Sequence, residues 1–293
     1  MQWSNLIAFV FQVSLFLTVF SIGLKASHRD AFFLFRHPRA LLISVLSMAV
    51  IMPAFAVVAT LLLDFHPAVE LALIALSVSP VPPFLPLRAI KMGGRPEYTI
   101  SLLAITAVLS VLVVPLAVAV FSRIYAVQLH RTPMDILPVV LTSVLLPLGL
   151  GLITRALAPS LAKNLAGRFL PSLAMALLLL SMLLIFFDLR DAVFTLVKPS
   201  TLITLGGFAL LGFLVGDLLG GMDAEDRTVL AFSTAMRHPG VALSVAQVQG
   251  GREEQLVFAA VLIYLMLGLL ASMVYMAGRK RFETGSGTAV PVG

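Results

Sequence analysis

No cysteine occurs anywhere in the chain, which excludes disulfides, thiol catalysis and thiolate metal sites. Charge is also scarce. Asp, Glu, Lys and Arg make up 12% of the residues, about half the share of an ordinary soluble domain. The 293 residues hold no hydrophilic block of domain size, and 60% of them are hydrophobic. A single membrane domain follows. The signatures of enzymes are missing as well: no paired carboxylates, no HExxH, no P-loop and no Gly-x-Ser-x-Gly elbow. The chain is therefore read as a non-enzyme, and ATP-driven transport would need another chain. Met1 to Asn5 carry no side-chain charge. A cleaved signal peptide wants a basic start and a small-residue cleavage site, so the first apolar run is expected to stay as a helix.

What is present is a series of long apolar runs. A spanning helix needs about 20 mostly apolar residues, and nine candidates meet that need: Leu6–Leu24, Ala40–Leu63, Pro67–Met92, Glu97–Ser122, Pro133–Thr154, Phe169–Phe187, Ser200–Gly220, Asp226–Gly250 and Gln255–Gly278. The net charge of +6 does not point to nucleic acid, because the basic residues sit in short loops between these runs. With the N-terminus outside, the inner loops hold fourteen Lys and Arg residues, including Arg36, Arg39, Arg88, Lys91 and Arg95, and the outer loops five. This positive-inside bias predicts an outer N-terminus and a cytoplasmic C-terminus in the inner (cell) membrane. The Gly/Thr/Val-rich tail, about 282–293, is expected to be disordered.

Two spans cannot be ordinary helices. The third contains Pro80, Pro82, Pro83 and Pro86. Proline lacks the amide proton and clashes with the preceding turn, so the span must break. The eighth contains Arg237-His238-Pro239-Gly240 about halfway along, a second expected break. Single prolines at Pro115, Pro138, Pro147 and Pro171 predict kinks only. The two breaks fall at matching places in two halves of opposite orientation, about 6–122 and about 169–278, joined by a linking helix at about 133–154. Inverted repeats with paired broken helices point to a transporter site, and broken backbone survives only where it is buried in protein or lines a cavity.

Arg237 is the twentieth basic residue and lies mid-span. An arginine there costs at least about 2.5–3.5 kcal/mol unless it has a partner. Three readings stand side by side: an anchor for a substrate carboxylate or sulfate, since guanidinium binds them bidentately; a fixed charge standing where a coupling cation would; or a tie to carbonyls freed at the break. His238 is either a proton-coupling group or a hydrogen-bond partner of a freed carbonyl. Ser233, Thr234, Ser77 and Ser79 either line a site or satisfy their own helix backbone. The half-helix after Gly240 offers free amide protons and a positive dipole end to an anion. Arg88 either meets substrate or anchors the span at the interface. Asp217 is read as interfacial, pairing with Arg227, and the Leu177–Leu184 run as packing.

The order of short motifs resembles the bile acid:sodium symporter family. Phe20-Ser21-Ile22-Gly23-Leu24 is similar to its first inner-end motif, and Arg36-His37-Pro38-Arg39 followed by Met52-Pro53 to its next helix. Ser79-Pro80 and Gly94 match its first crossover region, and Arg227-Thr228 with Met236–Gly240 its second. The resemblance implies an all-α membrane fold of nine transmembrane helices. A panel (helices 1, 5 and 6) would face a core (helices 2–4 and 7–9) in which helices 3 and 8 cross at their breaks. It implies a secondary transporter working by alternating access, with substrate between panel and core and sodium behind the crossing. The implied site residues are Arg237, His238, Ser233, Thr234, Gly240, Ser79, Pro80 and Thr99. The sodium-site positions depart from the family pattern: they fall on Met48, Leu85, Pro86, Leu103, Ser233 and Arg237. The expected substrate is a small organic anion. The alternatives are a sodium-independent or proton-coupled carrier, with Arg237 in place of the coupling cation, or a transporter-derived sensor. No cofactor, no nucleic acid and no obligatory protein partner is expected besides the lipid bilayer.

Overall fold

A computed structural model describes residues 2–124, 132–167, 169–246 and 251–285. Among them every regular element is helical. Seven helices are long and apolar enough to cross a membrane: α1 (Gln2–Gly23), α2 (Pro38–Leu62), α5 (Pro96–Ile124), α6 (Pro133–Leu157), α7 (Phe169–Asp188), α8 (Pro199–Leu219) and α11 (Gly251–Gly285). Between them lie two pairs of shorter helices: α3 (Pro67–Val78) with α4 (Leu85–Lys91), and α9 (Ala224–Ala235) with α10 (Pro239–Ala246). The helix α11 runs on to Gly285, into the segment read from the sequence as a disordered tail. Residues 286–293 lie outside the described residues.

Large apolar side chains cover the outside. Val108, Leu112, Leu116 and Val120 form an exposed row at four-residue spacing on α5, and Leu210, Leu214 and Leu218 do the same on α8. A stripe of this kind faces hydrocarbon. Lipid offers little drive to bring apolar faces together, so close packing of small residues must hold the helices. Gly212, Gly216 and Gly220 supply it for α8. A Cβ at Gly216 would lie 2.4 Å from the Ala231 Cα, and one at Gly212 2.6 Å from the Ala235 Cα. The backbones of α8 and α9 therefore touch along the glycine face. Gly23 and Gly151 do the same for α1 and α6, each Cβ position falling 2.6 Å from a carbonyl oxygen of the other helix.

The helices sort by contact. One group is α1 with α6 and α7. In the other, α8 packs on α9 and α11, and α11 on α3. The short pairs interlock: α3 packs on α10, and α4 on α9. At the polar ends, Arg95 joins the two pairs. Its guanidinium meets Asp226 at 2.8 Å, Asp223 at 3.3 Å and Glu225 at 3.6 Å.

Both α2 and α6 contain a π-helical turn, Ser47–Ile51 and Leu141–Leu145. Each ends just ahead of a proline, Pro53 or Pro147. A proline frees the carbonyl four residues back, and the wider turn absorbs the missing bond. The kink expected at Pro147 thus takes the form of a π turn. The helix α5 is continuous through Pro115.

Candidate functional site

The first short pair is interrupted because its prolines cannot donate. After Val78 the chain turns extended at Ser79 (φ −74°, ψ 144°), and helix resumes at Leu85, with Pro86 in its first turn. The second pair parts at Met236 (φ −105°, ψ 136°), and helix resumes at Pro239. The interruption therefore precedes Pro239-Gly240, where the sequence suggested it, because proline's fixed φ suits a first helical turn.

The two interruptions touch. The His238 backbone N–H donates to the Pro80 carbonyl at 2.9 Å, and Arg237 Nη1 donates to the Ser79 carbonyl at 3.1 Å. Tyr264 of α11 donates its hydroxyl to the Ala235 carbonyl. Carbonyls orphaned by the breaks are thus met by groups of the opposite break and of α11. In a buried setting each such group left alone would cost about 1–3 kcal/mol.

Arg237 is 1% exposed and is the largest fully buried side chain described. Its Nε and Nη2 have no protein partner among the described residues. Arg237 lines a cavity of about 40 Å³ together with Met48, Ser79, Thr106 and Ser110. The hydroxyls of Thr106 and Ser110 donate to their own helix, to the carbonyls of Leu102 and Ala107. Among the described residues no carboxylate forms an ion pair with Arg237.

His238 is buried and has both ring nitrogens engaged. Nδ1 accepts the Val241 N–H at 3.3 Å, so it carries the lone pair. Nε2 then holds the proton and donates to Ser143 Oγ at 3.0 Å, while Ser143 itself donates to Val139. Geometry fixes the neutral tautomer. Ser143 lies in the π turn of α6. Ser47, in the π turn of α2, meets Thr234 at 3.1 Å, and the next turn continues with Ser44 and Tyr98, 2.8 Å apart. The two π turns thus both press on the second interruption.

Of the other residues singled out from the sequence, Gly240 packs under the His238 ring, where a Cβ would come 3.2 Å from Cε1. Ser79 and Ser77 turn their hydroxyls to their own helix, at Ala75 and Ile74. Ser233 is buried with its Oγ unpartnered among the described residues. Thr99 donates to the Arg95 carbonyl one turn back, and among the described residues it makes no hydrogen bond to the crossing. Leu85, Pro86 and Leu103 are buried, and Met48 shares the small cavity with Arg237. Asp217 does not pair with Arg227; it accepts the hydroxyl of Tyr275.

A larger feature lies where the resemblance placed substrate, between the sixth span and the third and ninth. A cleft of about 610 Å³ opens between α7 on one side and α4 and α11 on the other. Leu179, Met182 and Phe186 form one wall, and Leu87, Met266 and Leu269 the other, with Arg88 and Lys91 among its few polar residues. Half-buried Arg88 donates to Ser272 Oγ and, at 3.4 Å, to the Leu269 carbonyl; its Nε has no partner among the described residues. The Leu177–Leu184 run, read from the sequence as packing, supplies part of this wall. Nothing in its composition distinguishes a cleft-lining leucine from a lipid-facing one.

The family model described as Sodium Bile acid symporter family matches residues 12–218. The match takes in the first interruption and α7 and ends before Arg237. A search of the curated proteins finds no match.

Proposed function

Because the chain belongs to the Sodium Bile acid symporter family, we propose that it is a secondary carrier moving an amphipathic organic anion across the inner membrane. The 610 Å³ cleft carries this reading. Its volume lies in the range that holds ligands of drug size, its walls are apolar, and a half-buried guanidinium stands in it. An anion with a hydrophobic body and one carboxylate or sulfate matches these features. The space at Arg237 is about 40 Å³ against about 610 Å³ for the cleft, so Arg88 rather than Arg237 is the substrate anchor in this reading. On binding, Arg88 exchanges a neutral hydroxyl partner for a charged acceptor. Such charge-assisted bonds are worth about 1.5–3 kcal/mol, against about 1 kcal/mol for neutral ones.

In this reading the interlocked pairs are the third and eighth of nine spans, crossing at Pro80 and His238. The α1, α6 and α7 group is the panel, and the remaining helices are the core of two inverted repeats. Rocking of core against panel would open the cleft to alternate sides. The N-terminus lies outside and Arg88 in the inner half, as the lysine and arginine distribution favours.

The test is calorimetric titration of the detergent-purified protein with a steroid carboxylate and its uncharged ester. Saturable binding of the carboxylate is expected, at least about tenfold tighter than the ester. Arg88→Gln should bring the carboxylate down to the ester's level. Equal binding of both, or no change in the variant, would reject the anchor.

A further inference from the structure

We propose that the Arg237 guanidinium is the resident cation of the helix crossing, so that this carrier completes its crossing without taking up sodium. The inference rests on the carrier reading given above, and three observations support it.

The first is the field. The helices α3 and α9, each twelve residues long, both end at the crossing. A helix carries about half a negative charge at its C-terminal end. The carbonyls of Ser79, Pro80 and Ala235 lie at these two ends. Broken helices whose C-terminal ends meet inside a membrane protein form a natural cation site.

The second is occupancy. Arg237 follows α9 directly, its guanidinium bonds the Ser79 carbonyl of the other break, and it is 1% exposed. With no carboxylate paired to it among the described residues, the end of α3 is the counter-charge it touches, through the Ser79 carbonyl. The cation site is therefore filled by the chain itself.

The third is what remains for a free ion. A hard cation needs several converging oxygens. The leftover cavity is small, and Met48, Val78 and Val113 are among its walls. A second unit charge about 4 Å from the guanidinium would bind roughly a thousandfold more weakly in an interior of effective dielectric about 20. The unused Nε and Nη2 are donors without a partner among the described residues, and a donor suits a water rather than a cation. His238 is held as a neutral ring, its Nδ1 accepting from the Val241 N–H and its Nε2 bonded to Ser143, so it adds no positive charge to the site.

The test measures thermal unfolding of the purified protein without substrate, so it stands apart from whether the cleft binds an anion. Midpoints are compared in sodium, potassium and N-methylglucamine chloride at equal ionic strength. An ion bound at about 100 times its Kd would raise the midpoint by about 5–10 °C. The wild type is expected to show the same midpoint in all three salts, and a sodium-specific rise of that size would overturn the proposal. Arg237→Ala empties the site, so its lowered midpoint should rise in millimolar methylguanidinium but not in methylurea, the uncharged isostere. A variant as stable as wild type and indifferent to methylguanidinium would also overturn it. Should Arg237→Ala not fold, Arg237→Lys keeps a tethered cation and is expected to remain indifferent to sodium, whereas a newly sodium-dependent lysine variant would count against the proposal.

Discussion

Two arginines separate the roles that one alone seemed to invite. Arg88 stands in a roomy apolar cleft with a hydroxyl and a distant carbonyl as partners, whereas Arg237 is enclosed at the crossing. The same cation suits substrate capture in one setting and internal neutralisation in the other. His238 yields a prediction at this scale. With both nitrogens committed, transport should stay nearly flat between about pH 5.5 and 8, where an uncommitted histidine would titrate. Uptake that rises with an imposed inward proton gradient would contradict it. Tyr264 yields another. Tyr264→Phe leaves the buried Ala235 carbonyl without its donor, which should cost about 1–3 kcal/mol and lower the unfolding midpoint by about 2–10 °C. Ser79, Pro80, Arg237 and His238 were legible as candidates because a proline or an arginine inside an apolar run is conspicuous by itself. Arg88 was legible as either a substrate contact or an interfacial anchor, but the walls around it were not, since leucine, methionine and phenylalanine line clefts and lipid boundaries alike.

Among the elements, proline content announced where the helices part, but not how their neighbours answer. The π turns at Ser47–Ile51 and Leu141–Leu145 depend on which group takes the released bonds. That depends on Thr234 and His238, about 95 to 190 residues along the chain, and local sequence cannot specify it. The extension of α11 to Gly285 was likewise hidden behind a charged Arg279-Lys280-Arg281 run that reads as a loop. The glycine face of α8 has a direct consequence. Gly216→Leu forces a side chain into the α9 backbone at Ala231. Overpacking of this kind costs about 1–3 kcal/mol, so the midpoint should fall by at least about 2 °C. An unchanged midpoint would mean that α8 and α9 are not in backbone contact.

For the molecule as a whole, the absence of cysteine becomes an experimental advantage. The α1–α6–α7 group and the α4–α11 wall face each other across the cleft, and carriage by rocking requires that distance to change. Met182→Cys and Met266→Cys place one thiol on each side. Cross-linking the pair should arrest uptake and reduction should restore it, as read in vesicles before and after reductant. Full uptake by quantitatively cross-linked protein would exclude rocking about this cleft.

On the reading proposed above, two grouped bundles, an apolar cleft with one guanidinium and a crossing neutralised from within make a carrier that needs an anion but no sodium. Initial uptake of a radiolabelled steroid carboxylate into proteoliposomes measures this most directly, with the sodium gradient inward, outward or absent and pH equal on both sides. Saturable uptake is expected at the same rate under all three conditions, and lost in Arg88→Gln. Uptake that appears only with an inward sodium gradient would contradict the self-neutralised crossing, and no saturable uptake under any condition would contradict the carrier itself.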